Sequence, residues 1–161
     1  MQKNPNIQIV GADHYGSLYS ETEAKPYKIE AIGEDFIPGT MNLEIIDDIV
    51  TVFDKESMLM TRRMAREEGL LVGGSCGAAV VGALRYVEKM NLDESKVVVV
   101  LLPDSGRSYL SKTFSDEWMR ENGFFEPSMD TSVAQLLMSK GNSRELLYLT
   151  PNHTVADAVK M

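Results

Sequence analysis

GLLVGGSCGAAVVGAL (residues 69–84) begins as a short apolar run and passes through three glycines and a serine into small residues at helical spacing. A strand that gives way to a helix through Gly73, Gly74, Ser75, Cys76 and Gly77 has two explanations. In one, Ser75 is an N-cap and the glycines let the backbone turn tightly. In the other, a small polar group sits above the helix N-terminus, where free N–H groups and the positive end of the dipole point outward.

The rest of the chain supplies the context. Its 161 residues suit one domain, or one domain and part of another. A hydrophobic fraction of 43% with 25% charged residues is ordinary for a globular protein. The net charge of −8 argues against a nucleic-acid surface or an anionic membrane as partner. One cysteine excludes an internal disulfide and points to a reducing, cytoplasmic compartment. No apolar run approaches membrane-spanning length, and MQKNPNIQIV lacks the charged-then-apolar pattern of a signal peptide.

Periodicity divides the chain into alternating elements. NIQIVGAD (6–13) reads as a buried strand, YKIEAIG (27–33) as a second extended piece, and MNLEIIDDIVTVFD (41–54) as a helical or loop segment entering a strand. KESMLMTRRMAREEGL (55–70) carries apolar residues at helical spacing with Gly69 as its stop, and the small-residue helix continues to about Met90. KVVVVLLPDS (96–105), apolar on both faces and ended by Pro-Asp-Ser, predicts a central strand of a parallel sheet. Strand–helix–strand alternation makes the class α/β, a three-layer, mostly parallel open sheet with helices on both faces. In such sheets ligands sit beyond the C-terminal ends of strands. Three segments could converge there: EAIGEDFIP (30–38), GGSCG (73–77) and LPDSGRSY (102–109).

Together these segments resemble the fold-type-II pyridoxal-phosphate enzymes, the cystathionine β-synthase family above all. EAIGEDFIP, EEGLLVGGSCG and LPDSGRSYLSKTFSDEW stand in that family's order, preceded by a strand and turn, NIQIVGADHYGS. The resemblance spans about residues 6–125. Cysteine synthases share the first two motifs; Asp104, Lys112 and the SDEW of 115–118 favour the cystathionine branch.

The resemblance implies a cofactor, pyridoxal 5′-phosphate, with Ser75 hydrogen-bonding its pyridine nitrogen. Gly74, Pro103 and Asp104 would complete the cofactor-binding set, and Ala31, Ile32 and Gly33 the substrate side of the ring. A hydroxyl is a neutral partner and need not hold that nitrogen protonated. Ala31 replaces a glycine common in the family, and Glu34 stands where an aromatic is frequent. Cys76 reads as a small packing residue, while His14 and His153 have no metal-ligand neighbours and are assigned no chemistry.

The family's Schiff-base lysine, in a segment like S-x-K-D-R, and its phosphate loop, like GTGGT, are not found in these residues. Residues 1–125 therefore read as the C-terminal part of a catalytic domain, with the lysine expected upstream and the 161 residues alone expected to be inactive. Residues 126–131 read as a linker. Residues 132–161 resemble the start of a Bateman (CBS-type) regulatory module, which would take an adenosyl ligand when complete. The implied reaction joins serine, or an activated serine, to homocysteine, so the partners are small amino acid and thiol substrates in a homo-oligomeric full-length enzyme. Two other readings stay open: a cysteine synthase using sulfide, and a non-catalytic regulatory protein that keeps half the fold.

Overall fold

The computed structural model of the chain describes residues 4–125, which lie within one compact unit, Met1–Glu126. The linker and module expected over 126–161 lie outside the described residues. Strand β1 (Val10–His14) pairs in parallel with β2 (Asp48–Val52), in the register Val10↔Asp48 to His14↔Val52. Between them residues 15–47 hold only a short 3-10 turn, Leu43–Ile45. Helices α1 (Asp54–Glu67) and α2 (Gly74–Lys89) follow, then a 3-10 turn at Gly106–Tyr109 and the short α3 (Asp116–Glu121).

Helix α1 ends where its sequence requires. Gly69 has a φ of 69°, a conformation that most side chains resist. Near its start, Glu56 accepts a hydrogen bond from the Phe53 backbone N–H and also receives the Arg85 guanidinium of α2, at 3.0 and 2.8 Å. Arg85 donates as well to the carbonyl of Thr51 in β2, tying both helices to the sheet. The core gathers Ile29, Val52, Met58, Ala78, Met119 and Phe124, with a second cluster of Met64, Val72 and Cys76 beside it.

The small residues of α2 have a packing reason. A Cβ on Gly77 would lie 2.1 Å from Thr61 Oγ1 and 2.2 Å from the Ser57 carbonyl oxygen, so α1 and α2 touch almost backbone to backbone. A Cβ on Gly82 would lie 2.6 Å from that of Ala12 in β1. The glycines that look like flexibility in the sequence are contact surfaces.

Two extended segments expected from the sequence take another form. YKIEAIG is not a strand: Asp54 Oδ1 captures the N–H groups of Lys28 and Ile29, and Ala31 and Gly33 have φ values of 60° and 72°. KVVVVLLPDS is not a sheet strand either; its pairing among the described residues is one antiparallel bridge, Val72↔Ser105. A strand is made by its neighbour, and no edge among the described residues faces this run. Val97, Val99 and Leu101 are 90%, 80% and 79% exposed as a result. The sheet among the described residues accordingly has two strands, both parallel, and α2 packs on both of them.

Gly77→Ala tests the helix contact. Alanine is the better helix former by about 1 kcal/mol, yet overpacking of this kind costs about 1–3 kcal/mol and here the obstruction is backbone. We expect a net loss of roughly 2 kcal/mol, read as a lower urea midpoint at unchanged slope.

Candidate functional site

Two of the three segments singled out in the sequence, GGSCG and LPDSGRSY, run together at the N-terminus of α2, and the first residue of EAIGEDFIP, Glu30, reaches a cleft beside it. Residues 71–73 run beside 104–106: Gly106 N–H donates to the Leu71 carbonyl at 3.0 Å, and Gly73 N–H to the Asp104 carbonyl at 3.2 Å. From the other side Ile29 reaches Gly74, where a Cβ would sit 3.6 Å from its Cγ2. Gly74 also lines a narrow cleft of about 10 Å³ whose walls include Glu30, Met58, Tyr109 and Lys112. Glu30 and Lys112 form an ion pair at this cleft.

The cap of α2 is Gly73, in extended conformation with no side-chain hydrogen bond, and not Ser75. Ser75 lies within the first turn, half-buried, and its hydroxyl has no hydrogen-bond partner among the described residues. The capping explanation of Ser75 is thus removed. Cys76 is fully buried and its Sγ lies 3.4 Å from the Asp104 carbonyl, which suits a packing residue. Pro103 is exposed and Asp104 half-buried, its Oδ2 accepting from the Tyr109 hydroxyl at 2.5 Å.

Ala31, Ile32 and Gly33 form the floor of an open hollow of about 540 Å³, with Tyr19, Tyr27, Ile29 and Glu34. The loop that carries them is pinned at both ends. At one end Asp54, the first residue of α1, accepts from Lys28 and Ile29 N–H at 2.9 Å each. At the other, the buried Ser17 Oγ accepts from Glu34 N–H at 3.1 Å, and Leu18 N–H donates to the Glu34 carbonyl at 2.8 Å. Burial raises the phenol of Tyr27 above its usual value, and the Glu34 and Asp13 carboxylates push it the same way.

Sequence reasoning missed Asp54, Ser17 and Tyr109. It also passed over His14, which is buried with Nδ1 2.6 Å from the Tyr15 carbonyl and its ring 4.5 Å from that of Tyr27. His14 Nε2 lies 3.2 Å from Asp54 Oδ1 but outside hydrogen-bonding geometry. It packs beside the Asp54 pin. His153 lies outside the described residues. Among the described residues no three His, Cys, Asp or Glu side chains could hold a metal ion, and no helix is long and apolar enough to cross a membrane.

A half-buried hydroxyl without a partner, on a glycine-lined helix N-terminus, suits the ring heteroatom of a planar ligand. That chemistry agrees with the family to which the chain belongs: residues 1–104 match the pyridoxal-phosphate dependent enzymes. Among curated relatives, the chain is 42% identical to a cystathionine beta-synthase of Dictyostelium discoideum, over 83% of this chain and 28% of that one. It is 39% identical to the cystathionine beta-synthase of Saccharomyces cerevisiae, over 97% of this chain and 32% of the yeast one. Among solved structures, the O-acetylserine dependent cystathionine beta-synthase of Helicobacter pylori matches at 40% identity and a TM-score of 0.62 over 69% of this chain and 36% of that one. A cysteine synthase of Entamoeba histolytica matches at 32% identity and a TM-score of 0.63, over 68% and 32%. The chain thus spans about a third of the length of the proteins it matches. The fold class expected from the sequence, that of the fold-type-II enzymes, is the class of these structures.

Ala31 is the strained point of the hollow. Its φ of 60° costs an L-residue about 1–2 kcal/mol, which glycine escapes. Glycine gives back about 0.4–1 kcal/mol through the unfolded chain. Ala31→Gly should therefore stabilise the chain by about 0.5–1 kcal/mol, measured as a raised urea midpoint.

Proposed function

We propose that the chain serves a β-replacement reaction of the cystathionine β-synthase type, joining serine or an activated serine to homocysteine. One observation carries the reading: the unpartnered Ser75 hydroxyl at a helix N-terminus beside which the LPDS segment runs and Glu30 of EAIG lines a cleft. The 39–42% identity to two enzymes of that name supports it. Ser75 would hydrogen-bond the pyridine nitrogen of pyridoxal phosphate, with Gly74, Pro103 and Asp104 flanking that end of the ring and Ala31, Ile32 and Gly33 facing the amino acid. When bound, that cofactor supplies an electron sink for negative charge at the substrate α-carbon.

The chain's own residues set how strong a sink it is. The Ser75 hydroxyl can accept or donate one hydrogen bond without bringing a charge, so it leaves the ring nitrogen free to stay unprotonated. With such an uncharged partner, Ser75 would keep the bound cofactor a modest electron sink, enough for loss of a β-substituent. Gly74 has no side chain to keep a flat ring from the backbone. The left-handed backbone at Ala31 and Gly33, strained only at Ala31, turns the pinned loop beside the hollow that these residues line.

The tail reads as the start of a Bateman module that takes an adenosyl ligand, and the yeast relative, aligned over 97% of this chain, supports a shared organisation there. A single, buried cysteine suits the cytoplasm. Assembly into a homo-oligomer would cover apolar side chains such as Phe36 and Ile37, which stand more than half exposed.

Assay of the full-length protein with homocysteine and with sulfide tests the reading. Turnover with homocysteine is expected; exclusive use of sulfide would make it a cysteine synthase, and no turnover with either would favour a regulatory role. In the same enzyme Ser75→Ala should lower activity while cofactor is retained, since one neutral hydrogen bond is worth about 0.5–1.5 kcal/mol. Ser75→Asp should be worse, because a carboxylate favours the protonated ring. A Ser75→Asp enzyme as active as wild type would refute the neutral-ring account.

A further inference from the structure

A hydrogen-bonded pair of acids lies against the head of α2. The Tyr109 hydroxyl donates to Asp104 Oδ2 at 2.5 Å, and the Asp104 carbonyl accepts from Gly73 N–H at 3.2 Å, with Cys76 Sγ 3.4 Å away. A Cβ on Gly73 would stand 2.6 Å from Asp104 Oδ2 and 2.9 Å from Tyr109 Cε2. The carboxylate and the phenol ring together therefore fill the space that a side chain at the cap would take. This arrangement answers an electrostatic problem. A carboxylate loose beside a helix N-terminus is drawn onto the free N–H groups of the first turn. There it would present a full negative charge beside the Ser75 hydroxyl.

We propose that Tyr109 is a positioning residue: it holds the Asp104 carboxylate at the Gly73 edge of α2 and leaves the neutral Ser75 hydroxyl as the group offered to the pyridine end of the cofactor. The inference rests on the cofactor reading of Ser75 given above. Its neighbours fit the role. Glu30, the other carboxylate near Tyr109, is taken up by Lys112, so Asp104 is the acceptor within reach of the phenol. Donation to Asp104, then burial, pushes the Tyr109 phenol up to about 12. A raised phenol favours the protonated form, so the pair is intact below the ordinary value of about 10 and is lost as pH rises through about 12. At neutral pH the clamp is closed.

Two measurements test it. The first needs no cofactor: the phenolates formed by the six tyrosines at about pH 11 are counted by ultraviolet absorbance immediately after a pH jump. Tyr109→Phe should nearly match wild type, because Tyr109 stays largely protonated, and Asp104→Asn should show more phenolate than wild type, by up to one per chain. Loss of nearly one phenolate in Tyr109→Phe would mean that Tyr109 titrates freely, and the proposal falls.

The second uses the full-length protein loaded with pyridoxal phosphate and follows the pH dependence of its visible absorption. Tyr109→Phe should shift that dependence toward higher pH, because a misplaced carboxylate favours the protonated ring, while Asp104→Asn, with no charge to misplace, masks the effect in the double variant. A shift toward lower pH would refute the positioning role. If Ser75→Ala alters the spectrum and Tyr109→Phe leaves it as in wild type, the positioning role is refuted and the Ser75 reading stands. If Ser75→Ala also leaves it unchanged, the Ser75 reading fails and takes the positioning role with it. Asp104→Asn keeps the shape of its parent, so the phenolate count still decides the matter if Tyr109→Phe does not fold.

Discussion

Everything near the candidate site depends on how closely the first turn of α2 is approached by its neighbours. Gly77 meets the Thr61 hydroxyl and the Ser57 carbonyl, Gly74 lies against Met58, and Gly73 is flanked by Asp104 and Tyr109. Thr61 Oγ1 donates to the Ser57 carbonyl at 2.9 Å and lies 3.3 Å from that of Gly73, so a single hydroxyl sits at the seam of α1 and α2. Side chains at these three positions would push the helices apart by the width of a methyl group or more. Interiors packed at crystal density do not absorb such a change quietly. The glycines thus fix where the helix N-terminus points, and Ser75 takes its place from them.

The elements that rely on local pattern were readable from the sequence. Helix α1 shows apolar spacing and a glycine stop, α2 its run of small residues to Met90, and β2 the segment entered through a short turn. The meeting of the GGS and LPDS segments was legible too, because each carries turn chemistry where an apolar run ends. What pattern could not show was the set of contacts between distant residues. Nothing local says that Asp54 will hold Lys28 and Ile29, or that Ser17 will hold Glu34. Serine is the commoner cap, yet Gly73 caps α2 because the space beside it is already filled by Asp104 and Tyr109.

The two segments misread as strands fail for opposite reasons. In YKIEAIG the backbone donors are claimed by side chains, so a ladder has nothing to pair with. In KVVVVLLPDS the side chains suit a strand, but pairing is a property of two segments and not of one. The single bridge at Ser105 marks where a neighbour does come within reach, and it comes from the GGS strand end that leads into the site. The placement of Asp104 depends on that contact.

The parallel pairing of β1 with β2 has a kinetic side. Val10 and Asp48 are joined across residues 15–47, a span with one short 3-10 turn and no crossover helix to shorten its path. Helices α1 and α2, by contrast, are adjacent in sequence and separated by a few residues. Loop closure is an entropy that a chain must spend before a distant contact repays it. The helical pair can therefore assemble as a local unit, while the strand pair and the pinned loop between them wait on a long-range search. The same ordering makes the Lys28–Glu34 loop a late piece of the fold, which seats Ile29 between Met58 of α1 and Ala78 of α2 only once those helices are in place.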